Sequence, residues 1–180
     1  NYIIKVNPIE INPEKTFAKI DEPEQIAGKN FTLKIYPFSK YGTNLAFVEQ
    51  SEIEKLQIKV TLPNRTIIDV EGGEFDPDEK AILFNQNYIS FGEIQYSIKY
   101  DNVKIPCANC QIKIIFGDMD LNKSVQYSDI IVVGEISKLT IIPKNEYSIS
   151  IPIKEISDRL DIKCIFDNKT FNKERSLKLQ

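Results

Sequence analysis

The sequence predicts an all-β protein built as a tandem array of antiparallel β-sandwiches, and three observations carry that expectation. First, short runs alternate strictly between apolar and wettable residues. Phe31, Leu33 and Ile35 alternate with Thr32, Lys34 and Tyr36, and Leu56, Ile58, Val60 and Leu62 alternate with Gln57, Lys59 and Thr61, the period of a half-buried strand. Second, turn residues separate these runs and no long amphipathic helix interrupts them, the pattern of a sandwich. Third, Gly28, Leu33, Ile35, Pro37 and Tyr41 are matched by Gly134, Leu139, Ile141, Pro143 and Tyr147 at one constant offset of 106 positions, a period near the usual size of a small domain.

Taken in order, residues 2–6 read as the closing strand of a preceding unit, and 7–15, with Pro8 and Pro13, as a link. The link returns at 114–124, which lines up with 6–16 at an offset of 108. The first strand of the complete unit is expected at 17–20 and the second at 31–36. Pro37, which has no N–H to give to a ladder, stops the second strand, and the Gly42 loop turns the chain. Residues 45–54 show little period and read as a loop. The third strand, 56–62, ends at Pro63-Asn64; the fourth, 66–71, turns Ile68 and Val70 inward and Ile67 and Asp69 outward before Gly72-Gly73. An acidic loop follows, then a brief strand at 81–84, a strand carrying Ile94, Tyr96, Ile98 and Tyr100, and a last one at 111–116. In the second unit Leu160, Ile162, Cys164 and Phe166 repeat the alternation of the third strand, and 155–159 can hold one helical turn at most.

Apolar content of 42% and charged content of 27% are ordinary globular values, so the chain is not a disordered tail. A net charge of −3 without a Lys/Arg stripe argues against nucleic acid or an anionic membrane as partner. No apolar run is long enough to span a bilayer. The chain opens on Asn1 and closes on Gln180, and its partial units at both ends make it read as a piece of a larger protein.

Enzymatic chemistry has little to build on. With no His there is no Ser/His or Cys/His relay and no H-E-x-x-H site, and there is no phosphate-binding Gly-x-x-x-x-Gly-Lys loop. Glu74 and Asp76 share an acidic loop in which nothing sets one carboxylate apart from the other. That loop and Asp118-Met119-Asp120 hold too little of a calcium ligand pattern, so neither metal nor cofactor is expected. Cys107-x-x-Cys110 reads as a structural disulfide or as buried thiols before it reads as a redox or zinc site, because no His and no helix start accompany it. Asn30, Asn64, Asn122 and Asn168 each open an Asn-x-Ser/Thr acceptor, which leans toward a glycosylated, secreted or surface location. Tyr41, Tyr88 and Tyr147 fall in loops, either as partner contacts or as rings folded over the end of the sandwich.

Pro13-Glu14-Lys15-Thr16, then Ala27-Gly28, the Phe31 to Ile35 strand and Lys40-Tyr41-Gly42-Thr43-Asn44 resemble the opening of a filamin-type immunoglobulin-like repeat. Gly92 before the Tyr96 strand, and Asp101-Asn102-Val103-Lys104-Ile105-Pro106 before the last strand, resemble its closing half. Cys107-Ala108-Asn109-Cys110 stands where the family usually has a small residue and Ser-Pro-Phe, and Ser39 stands where it often has Asp. The resemblance implies the end of one repeat at 1–12, a complete repeat at 13–117 and the first part of another at 118–180. It also implies partner peptides taken by β-augmentation along the groove between the third and fourth strands, with Gln57, Lys59, Thr61, Ile67 and Asp69 as the contact set. The same charges, Lys59 and Asp69, would equally serve to protect an edge.

The function expected from these features is non-enzymatic: a protein-binding and spacer module of a multi-repeat cell-surface protein in cell–cell recognition or adhesion. The alternative is an intracellular cytoskeletal scaffold of filamin repeats.

Overall fold

The computed structural model describes residues 10–128, 139–159, 164–166 and 169–171. The strand expected at 2–6 and the positions of Leu160 and Ile162 lie outside them. The chain divides into two units, Asn1–Gly117 and Asp118–Gln180.

The first unit holds β1 (Phe17–Ile20), β2 (Glu24–Ile26), β3 (Phe31–Tyr36), β4 (Leu56–Thr61), β5 (Ile67–Val70), β6 (Glu74–Asp76), β7 (Ala81–Gln86), β8 (Gly92–Tyr100), β9 (Val103–Lys104), β10 (Cys107–Ala108) and β11 (Gln111–Ile115). One sheet runs β10-β1-β3-β7-β6 and the other β2-β11-β8-β4-β5, with β9 paired to β8. This is the strand order of an immunoglobulin-like sandwich, with β5 added at one flank and the short β2 and β10 at the other. Alternation builds both inner faces. Ala18, Ile20, Leu33, Ile35, Ile82 and Phe84 are buried from the first sheet, and Ile58, Val60, Ile94, Ile98, Ile112 and Ile114 from the second.

Four strands were not legible in the sequence. β2, β9 and β10 are two or three residues long, too short to show a period, and β6 lies inside the acidic loop. The sandwich is also not wholly antiparallel, because β1 pairs parallel with β10 and β2 parallel with β11. Both exceptions arise where a strand changes sheets. The chain leaves β1 for β2 through Asp21–Pro23, and leaves β10 for β11 through Asn109, a left-handed residue (φ 57°). Ala18 N–H donates to the Pro106 carbonyl (2.8 Å), Asn109 Nδ2 donates to the Ile20 carbonyl (3.1 Å), and a disulfide joins Cys107 to Cys110 across the second crossing. One flank of the sandwich is thus sewn shut.

The stretch expected to be a loop at 45–54 holds a short helix, α1 (Gln50–Ile53), anchored inward by buried Ile53. Tyr100 OH, at the end of β8, donates to Glu52 Oε2, and Lys55 Nζ donates to Glu52 Oε1 at 2.5 Å. Burial pushes the Tyr100 phenol up, and the Glu52 carboxylate pushes it further. For Glu52 burial acts in the opposite sense to its two donors, and the Lys55 and Tyr100 hydrogen bonds prevail, holding the carboxyl below the usual value.

In the second unit, β12 (Val125–Ser128) pairs antiparallel with β13 (Leu139–Ile142), and β14 (Cys164–Phe166) with β15 (Lys169–Phe171). Two 3-10 turns, Ile153–Glu155 and Ser157–Arg159, stand where one helical turn is expected. The opening of this unit uses the backbone bonds of the first. Phe17↔Tyr36 through Ile20↔Leu33 in β1–β3 correspond to Val125↔Ile142 through Ser128↔Leu139 in β12–β13. Ser39 N–H donates to Thr43 O and Asn145 N–H to Ile149 O, both at 2.9 Å. Ser39 Oγ accepts from the N–H groups of Tyr41 and Thr43, as Asn145 Oδ1 does from those of Tyr147 and Ile149. Gly42 (φ 79°) and Ser148 (φ 65°) take the same left-handed turn position.

A carboxyl held low in the folded state contributes stability that is complete above its unfolded value and is lost as pH falls through its folded one. Glu52→Gln should therefore lower stability at neutral pH by about 1 kcal/mol, with the deficit shrinking under acid. Denaturant unfolding of both proteins at neutral pH and in acid checks this, and a pH-independent deficit contradicts it.

Candidate functional site

The opposite flank, where β5 and β6 end the two sheets, has no such seam, and the candidate site lies there. β4 does not expose an edge over most of its length. It pairs with β8 from Leu56 to Thr61 and with β5 from Ile58 to Thr61. The third and fourth strands expected to flank a groove are instead hydrogen-bonded neighbours in one sheet, so no groove separates them. The free edge is one strand further out, on β5.

That edge is short because the chain leaves it abruptly. Gly72 adopts a left-handed conformation (φ 80°) that turns the backbone from β5 toward β6 in the other sheet, a conformation that glycine takes without steric cost. Gly73 then passes so close to Phe84 that an added Cβ would sit 2.3 Å from the ring. Beside Leu56 and Gln57, where β5 has already departed, a notch of about 700 Å³ opens. Its walls come from α1, the start of β4, the end of β5 and the two glycines.

The expected contact residues divide by strand. Gln57, Lys59 and Thr61 point outward from β4 and Ile67 and Asp69 outward from β5, with Lys59 directly opposite Asp69 and Thr61 opposite Ile67 in the ladder. Ile67 is 60% exposed, a large apolar side chain at the rim of an edge strand. Gln57, Lys59 and Asp69 also line the notch, whereas Thr61 and Ile67 lie beyond it. Sequence reasoning missed Glu54, Glu71 and Phe84 as part of this place. The Gly-Gly pair was the available signal for a crossover, but nothing in the sequence shows that Phe84 lies beneath it.

Other candidates are placed as follows. Cys107 and Cys110 are disulfide-bonded in the sewn flank, on the opposite edge from the notch. Asn64 is exposed in the β4–β5 turn, where its Oδ1 accepts from Thr66 N–H (3.0 Å). Asn30 and Asn122 are exposed as well, and Asn168 lies outside the described residues. Asp76 Oδ1 is engaged by the Asp78 and Glu79 N–H groups within its own turn. Tyr88 is buried and hydrogen-bonded to Gln86 and Tyr96, a ring folded into the sandwich, whereas Tyr41 is 78% exposed.

No protein-family model and no curated protein matches the chain. Among solved structures it is similar to the Escherichia coli adhesin FdeC (15% identity, TM-score 0.46, over 77% of this chain and 43% of that one). It is also similar to the Lin-41 filamin domain (13%, 0.47, over 60% and 99%) and to the bacterial integrin-binding protein invasin (16%, 0.44, over 79% and 28%). The matched region thus spans under half the length of those FdeC and invasin chains.

Proposed function

We propose that this chain is a protein-binding and spacer segment of a multi-repeat, filamin-type cell-surface protein, and that it takes partner strands by β-augmentation on the free edge of β5. The observation that carries the binding is topological: one flank is closed by two crossings and a disulfide, while on the other β5 is paired on one side only and bears exposed Ile67. An edge strand offers a row of backbone donors and acceptors, and a partner strand satisfies them while its alternate side chains read the face. Gln57, Lys59, Thr61, Ile67 and Asp69 form that face.

The spacer role is supported by the same hydrogen-bond pattern recurring within the opening of each unit, which is how two copies of one repeat would begin. A surface setting is supported by the disulfide, which persists in oxidising compartments, and by acceptors at exposed Asn30, Asn64 and Asn122.

Two measurements test this. Extended peptides selected from a display library for binding to the chain should slow amide exchange in Ile67–Val70; protection confined to other strands, or a library that yields no binder, overturns the edge assignment. In native material Asn64 should carry a glycan and Cys107 should resist alkylation until reduced. A bare Asn64 with freely alkylated thiols favours the intracellular scaffold instead.

A further inference from the structure

We infer that the notch beside β5 receives a lysine or arginine side chain from the added strand, so that the partner segment is basic; this rests on strand addition at β5. The notch has two chemistries. Its floor is apolar, made by Ile53, Ile58, Val70 and Phe84. Its rim carries the carboxylates of Glu54, Asp69 and Glu71 against a single cation, Lys59.

None of these rim groups closes an ion pair within 4.0 Å among the described residues, and Lys59 stands opposite Asp69 in the ladder without bridging to it. This contrasts with the outer face of the other sheet, where Lys19, Asp21, Lys34 and Glu79 are linked in one chain of ion pairs. An apolar floor under an acidic rim fits a side chain with an aliphatic stem and a cationic head, which lays its methylenes on the floor and its charge among the carboxylates. An aliphatic residue of equal length would fill the floor and leave the acids unmatched. A glutamate would meet like charge. Strand addition supplies the register that places such a side chain, since successive residues of an added strand point to opposite faces of the sheet and every second one lies on the outer face with Lys59 and Asp69.

The test uses the whole 180-residue chain and three labelled peptides that alternate Thr and Val around one central position, occupied by Lys, norleucine or Glu. Fluorescence anisotropy at low and high salt gives the affinities. The Lys peptide should bind roughly tenfold more tightly than the norleucine peptide and the Glu peptide most weakly. The Lys advantage should vanish at high salt and in the Glu54→Gln/Glu71→Gln double variant. Equal binding of the Lys and norleucine peptides overturns the basic-partner inference and leaves strand addition standing. No binding by any of the three overturns strand addition itself and the inference with it.

Discussion

The first unit depends on how its first and last strands are divided between the two sheets. Each sheet buries one face, so every strand must alternate, but alternation alone would leave four sheet edges open. The crossings β1 to β2 and β10 to β11 place their halves at neighbouring edges, and the Ala18–Pro106 and Asn109–Ile20 hydrogen bonds fasten them. A disulfide then closes the Cys107–Cys110 turn at the second crossing, in a loop so short that its effect on chain entropy is small. Its main consequence is local: it fixes where the last strand passes from one sheet to the other.

The opposite flank is handled differently. β6 is three residues long and is followed by Pro77, and β5 is four residues long; brevity and proline are both ways of keeping an edge from pairing indiscriminately. Asp69 adds charge. Yet Ile67 stands exposed on the same strand, which edge protection does not require. Short length and flanking charge on an edge do not exclude the strand recognition proposed for it, because a matching partner strand can still pair where a mismatched one cannot.

The fold was legible wherever a strand is long enough to show its period. Leu56 to Val60, Ile94 to Tyr100 and Gln111 to Ile115 follow the alternation read from sequence, with the inward residues buried except Leu56, which is half-buried. It was illegible where pairing, not periodicity, makes the strand, as for Val103–Lys104 and Cys107–Ala108, which are strands only because β8 and β1 lie beside them. α1 was missed because four residues cannot show an amphipathic face, and what holds it, Tyr100 with Glu52, spans 48 positions. The candidate site was half legible. Outward positions on β4 and β5 follow from alternation, but the notch exists only because Gly72 turns β5 away early and α1 folds over the gap.

Amide hydrogen exchange on the free chain separates a strand paired on both sides from an edge strand, since local openings and unpaired donors set its rates. Slow exchange is expected at every amide from Ile58 to Val60, because β4 is paired on both sides, and alternating fast and slow exchange from Ile67 to Val70, because β5 is paired on one. Uniform protection along β5, or alternating protection along β4, would contradict that pairing.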